Sequence, residues 1–247
     1  MVFYHLHLRI KCNGIKMLTP LEWEAIQLSL RVSFWAVLLS LPFGIGIAWL
    51  LARYSFPGKS ILDALVNAPL VIPPVALGYI LLVLFGRTGP VGEILENWFG
   101  ITLVFTWEGA SLASAIVSFP LLVRAIRLSV ESLDPGLERA ARTLGAGPIW
   151  TFITVSLPLI WPGILAGVTL AFARCVGEFG ATITFASNIP GETRTLPLAL
   201  YTLIELPGGE AAALRLMLIS IALAIISLFI SEFLARRSRR KFGSIKN

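Results

Sequence analysis

Five long apolar stretches, at about 24–52, 61–86, 109–131, 149–186 and 211–235, constrain this chain more than any other feature. A bilayer has roughly 30 Å of hydrocarbon, so a helix needs about 20 apolar residues to cross it. All five stretches meet that length. Lipid offers no partner for an open strand edge, so each stretch must be helical. Composition agrees: 56% of the 247 residues are hydrophobic, only 14% are charged, and the mean hydropathy is +0.83. Soluble domains are nearer a quarter charged. A sixth apolar piece, at about 195–206, is short and ends at Pro207-Gly208-Gly209. It is either a re-entrant or interfacial segment or a sixth span. The expected architecture is an all-α, polytopic transmembrane bundle of five to six spans.

Charge orients this bundle. Arg236, Arg237, Arg239, Arg240, Lys241 and Lys246 carry six positive charges, equal to the net charge of +6. A basic tail after an apolar span belongs in the cytoplasm. Counting back five spans places the 53–60 and 132–148 loops in the cytoplasm as well. The 87–108 loop, with Glu93, Glu96 and Glu108 against Arg87, then lies outside with the N-terminus. Arg9, Lys11 and Lys16 argue mildly against that placement. The expected organisation is an N-terminal extension at 1–17, a transmembrane domain at 18–235 and a basic cytoplasmic tail at 236–247. Met17 would serve as well as Met1 for a start, and the extension lacks the apolar run of a signal peptide. His5, His7 and Cys12 lack a fourth ligand and a rigid frame, so no metal site is expected. Cys12 and Cys175 sit in a tail and a span, which argues against a disulfide.

Between the third and fourth spans lies a polar patch. Asp134 can cap a helix and Pro135 fits its first turn. Gly145 can close that helix, and Gly147-Pro148 can open the next. A helix of about ten residues has little stability alone. A short helix offered at a membrane surface therefore suits docking to a soluble partner. The spacing resembles the signature of binding-protein-dependent ABC importer permeases: Glu-Ala-Ala, three residues, Gly, nine residues, Ile, one residue, Leu-Pro. Ala140-Ala141, Gly145, Leu157 and Pro158 match, and Val155 replaces Ile. Arg139 holds the Glu position, with Glu138 one residue earlier. The resemblance implies a type I ABC importer transmembrane domain. It also implies a coupling helix that docks on an ATPase through Leu137, Glu138, Arg139, Ala140, Ala141, Leu144, Gly145 and Ala146.

The spans themselves invite close contact and bending. Gly44, Gly46, Gly163 and Gly167 are small residues that let helices approach in lipid. Pro73-Pro74 must kink or unwind the second span. Freed backbone groups there need a neighbouring helix, water or a passing solute, and broken helices are typical of transporter cores. Arg174 and Glu178 share a helix face four residues apart. They either line a solute path near its gate or form an ion pair near the outer helix end. Thr182 and Thr184, with Ser187 and Asn188, could donate to an oxyanion. Pro73, Pro74, Arg174, Glu178, Thr182 and Thr184 are the candidate path residues.

Further residues narrow the family. Asn67 to Tyr79, Gly177 to Thr182, Asn188 to Ala199 and Pro207 to Ala212 together resemble molybdate importer permeases. The resemblance runs from about Leu18 to Glu232. Sulfate and thiosulfate permeases are close relatives, and tungstate is carried by similar proteins. It implies a second copy of the chain, two cytoplasmic ABC ATPase subunits, an extracytoplasmic oxyanion-binding protein and surrounding membrane lipid. It implies no cofactor on this chain, with ATP and Mg on the ATPase. In agreement, the chain has no phosphate loop, no Ser-His-Asp set and no zinc helix motif. A nucleic-acid partner is not expected. Two readings of another class are a membrane-embedded enzyme using Arg174 and Glu178, and a structural membrane anchor.

Overall fold

The structure, a computed structural model, describes residues 19–243. The extension assigned to 1–17 and the last four residues of the tail lie outside that range. The first helix, α1 (Pro20–Arg53), has 34 residues, and at about 1.5 Å per residue it is longer than the hydrocarbon is thick. A capping box opens it: Glu22 N donates to Thr19 Oγ1 at 3.3 Å and Thr19 N donates to Glu22 Oε2 at 2.8 Å. After a turn at Gly58 the chain forms α2 (Lys59–Val71) and α3 (Pro74–Phe85). Next come α4 (Pro90–Phe99), α5 (Trp107–Glu131) and the short α6 (Pro135–Thr143). A 29-residue helical segment follows: α7 (Pro148–Thr151), a π turn (Phe152–Ser156) and α8 (Leu157–Val176). The small helices α9 (Gly180–Phe185) and α10 (Leu196–Glu205) lead to α11 (Glu210–Gly243). The basic residues at 236–243 continue α11.

Among the described residues, four helices are long and apolar enough to cross a bilayer, or five if the bent α2–α3 pair counts as one span. That pair is bent by 115°, so the second apolar stretch is not one straight span. The physical cause is local. Pro73 and Pro74 carry no amide hydrogen, so the carbonyls of Pro69 and Leu70 lose their donors four residues on. The fourth stretch is also divided, because α8 stops at Val176 and α9 starts only at Gly180. Helix α10 has ten residues, about 15 Å, half of a hydrocarbon crossing. It is therefore not a sixth span.

The central core packs α1, α5 and α8 around Val37, Leu51, Leu122, Ile126, Ile160 and Ile164. Glycines permit this approach. A Cβ at Gly44 would lie 2.8 Å from Leu122 Cδ2, one at Gly167 would meet the Leu122 carbonyl at 3.0 Å, and one at Gly163 would overlap Ser129. Gly46 differs from the sequence expectation, having open space beside it. A second core joins α3, α9 and the start of α5 through Leu77, Leu81, Ala113, Val117 and Phe185. A third joins the starts of α1 and α11 to α10 through Ile26, Leu196 and Leu216.

Two ion pairs mark opposite ends of the bundle. Arg215 Nη2 meets Glu22 Oε1 at 2.8 Å, tying the start of α11 to the start of α1. Arg53 Nη2 meets Glu138 Oε1 at 3.0 Å, tying the end of α1 to α6. Helix α6 therefore sits at the end of the bundle opposite Thr19.

Candidate docking helix and translocation groove

Helix α6 forms for the local reasons read in the sequence. Asp134 Oδ1 accepts from Gly136 N at 2.7 Å, and Pro135 occupies the first helical position. At the other end Gly145 has φ 89°, a conformation that favours glycine. Ala146 N then donates to Ala141 O at 3.1 Å and Gly145 N to Arg142 O at 3.0 Å, closing the helix.

The helix has two faces. Glu138 points into the bundle, where its Oε1 accepts from Arg53 Nη2 at 3.0 Å and from Ser156 Oγ at 2.9 Å. Arg53 also lies over the Trp49 ring, which packs edge-on against Phe152 at 5.0 Å. One carboxylate thus holds α6 to both α1 and the π turn. Ala141 and Ala146 are half-buried. The outward face carries Leu137, Arg139, Ala140 and Arg142, followed by Leu144, which is 89% exposed, and Gly145. Ile149 and Trp150 extend this uncovered apolar surface. Arg139, at the position where the importer signature has Glu, is exposed, and the neighbouring Glu138 makes the inward contact.

The candidate path residues fall at the start of α3, near the end of α8, in the link from α8 to α9, and on α9. Pro73 and Pro74 are exposed at the bend, and a Cβ at Gly180 would lie 2.6 Å from Pro74 Cβ. Gly78 is equally close to α9, with Thr184 Cβ 2.8 Å from the position of its missing Cβ. The break in the second stretch is therefore seated on the segment that holds Thr184. Arg174 Nη1 meets Glu178 Oε2 at 2.6 Å, and Glu178 is 1% exposed. The other oxygen, Oε1, accepts from Ala181 N at 2.8 Å, so the carboxylate caps α9. The two side chains form an ion pair at the end of α8, with Arg174 32% exposed. Thr182 is buried and donates to Phe179 O at 2.9 Å, while Thr184 donates to Gly180 O at 3.0 Å.

Sequence reasoning missed a polar groove between α2 and α5. It encloses about 560 Å³ and is lined by Asp63, Asn67, Leu70, Arg124, Arg127 and Glu131, among others. Arg127 bridges two carboxylates there, to Asp63 Oδ1 at 2.9 Å and Glu131 Oε1 at 2.7 Å. A usable signal was present: ionisable residues inside an apolar stretch mark a protein interior or an aqueous cavity.

With this geometry in place, the chain can be set beside known proteins. Residues 40–240 match the family model described as the binding-protein-dependent transport system inner membrane component. The chain is 63% identical over 227 residues to the molybdenum transport system permease protein ModB of Escherichia coli K12, covering 92% of this chain and 99% of that one. Identity to ModB of Haemophilus influenzae is 54% over 223 residues, covering 90% and 97%. The sulfate transport system permease protein CysT of Salmonella typhimurium is 36% identical over 224 residues, covering 91% and 80%. Among solved structures, a bacterial alginate ABC transporter in complex with its periplasmic protein matches with TM-score 0.69 at 18% identity, covering 89% of this chain and 80% of that one. The MetNI methionine ABC transporter matches with TM-score 0.62 at 16% identity, covering 88% and 94%. These likenesses identify the fold as the transmembrane domain of a type I ABC importer. The chain belongs to the binding-protein-dependent transport system inner membrane component family.

Proposed function

We propose that this chain is the permease subunit of an ATP-driven importer of molybdate, with tungstate as a related substrate. The observation that carries the reading is α6: an exposed helix with an apolar and basic outer face, bonded inward to α1 and to the π turn through Glu138. Such an element passes a push from a soluble partner into two spans at once. The identity of 63% to a molybdenum permease against 36% to a sulfate permease favours molybdate over sulfate or thiosulfate.

In this reading the α6 end faces the cytoplasm and the Thr19 end faces outside. The positive-inside tendency supports that orientation, since Arg53, Lys59, Arg139, Arg142 and the basic end of α11 gather on one side. Two copies about a twofold axis would enclose the path between them. A pair of cytoplasmic ATPases receives the two α6 helices, and an extracytoplasmic binding protein delivers the oxyanion. ATP and Mg bind the ATPases. Their closure moves α6, and the Glu138 tether turns that motion into tilting of α1 and of α8 beyond the π turn. The π turn is a natural place to yield, because its wider ring departs from the α-helical ladder. Pro73, Pro74 and Thr184 border the path. Arg174, Glu178 and Thr182 fix the wall behind them. The decisive experiment reconstitutes the chain with its ATPase and binding protein in proteoliposomes. Molybdate-stimulated ATP hydrolysis with molybdate uptake is expected; no response to molybdate, tungstate or sulfate would defeat the proposal. Stimulation by sulfate alone would move the assignment to the sulfate class.

A further inference from the structure

We propose that Arg124, in the groove between α2 and α5, forms a binding site for a tetrahedral oxyanion. The site lies at the α6 end of the bundle. Glu131 closes α5, Arg127 stands four residues further in, and Arg124 seven residues further in. At about 1.5 Å per residue, Arg124 lies roughly 10 Å inside the helix end. A guanidinium at that depth is costly unless it faces protein or water. Here it faces the groove of about 560 Å³.

The neighbouring charges are already committed. Arg127 uses its Nη1 on Asp63 and its Nε on Glu131. Asn67 Nδ2 donates to Asp63 O at 2.8 Å and lies 3.2 Å from Asp63 Oδ1. Both lining carboxylates are therefore held by Arg127. Arg124 is exposed and, among the described residues, has no hydrogen-bond or ion-pair partner. Its planar fork of donors is the geometry that oxygen anions of phosphate type accept. The triad of Asp63, Arg127 and Glu131 carries a net negative charge beside it. That charge opposes tight retention, so the site suits brief occupancy by an anion in passage. The groove is far larger than one such anion, so the ligand would keep much of its water.

Two sources share this chemistry: the transported oxyanion, which rests on the function proposed above, and the phosphate of an anionic lipid headgroup. Phenylglyoxal labelling of arginine, read by peptide mass on the assembled complex in phosphatidylcholine nanodiscs, separates them. Arg87 provides the control, since its side chain is 74% exposed. Rising molybdate is expected to lower labelling at Arg124 but not at Arg87. Protection by phosphatidylglycerol without protection by molybdate would assign the site to lipid. Protection by neither would overturn the proposal, as would an Arg124 that resists labelling with no anion present. In the second measurement, Arg124→Gln should lower molybdate uptake roughly ten-fold, the size of losing hydrogen bonds to a charged group, and Arg124→Lys should restore part of it. If the unmodified complex shows no oxyanion-stimulated ATPase activity, the transport reading fails, and the labelling comparison still decides whether Arg124 binds oxyanions.

Discussion

Glu138 illustrates how one side chain can define a mechanical link. Its carboxylate accepts from an arginine at the end of α1 and from a serine in the π turn. Replacing it with Gln keeps its shape but removes the charge. Glu138→Gln should cost about 1–2 kcal/mol, the worth of a half-buried charged hydrogen bond. A lowered melting temperature in detergent would register this loss. In a complex carrying the same variant, ATP hydrolysis should depend less on the loaded binding protein, because α6 would no longer drag α1. Full stimulation in Glu138→Gln would show that the tether carries no signal. At this scale the sequence was readable only in part. The caps of α6 are local, so Asp134, Pro135 and Gly145 were plain. The role of Glu138 was not, because Arg53 lies 85 residues away.

At the scale of elements, the contacts of small residues decide how the spans meet. Gly163 sits against Ser129 and the carbonyl of Ala125, so a larger side chain forces α8 from α5. Gly163→Leu should destabilise the bundle by about 1–3 kcal/mol, as overpacking does, measured by thermal unfolding in detergent. Gly145 tests a different property. Its φ of 89° is strained for any L side chain, and no neighbour crowds it. Gly145→Val should therefore leave the bundle folded but distort the exit from α6, abolishing ATPase coupling while binding-protein docking persists. The bend between α2 and α3 was half legible: Pro73-Pro74 announced a break. Its angle of 115° depends on Gly78 and Gly180 seating α3 against α9, a fit no local rule supplies.

For the whole molecule, the two ends of the bundle are distinguished by their ion pairs. Glu22 is only 3% exposed and bonds Arg215 across 193 residues. Breaking it with Glu22→Gln should loosen α11 from α1 at the Thr19 end, seen as faster amide exchange in α10 and the first turns of α11. Unchanged exchange there would mean that the third core alone holds this end. Docking on an ATPase yields its own prediction. A cysteine at Ala141 in a chain otherwise lacking cysteine should cross-link to an ATP-hydrolysing subunit.

Hydropathy and capping are properties of a few consecutive residues, and what depends on them alone could be read from the chain. That includes a helical membrane bundle, the limits of the short helix α6 and the site of the proline break. Partnerships between distant residues belong to tertiary structure. Packing of α2 on α5 alone brings Asp63 to Arg127, 64 residues away, and opens the groove where Arg124 has no partner among the described residues. Packing likewise turns Glu138 inward, toward Arg53 and Ser156. The reason is that a charge within an apolar segment must find a partner or water, and only the fold determines which of the two is within reach.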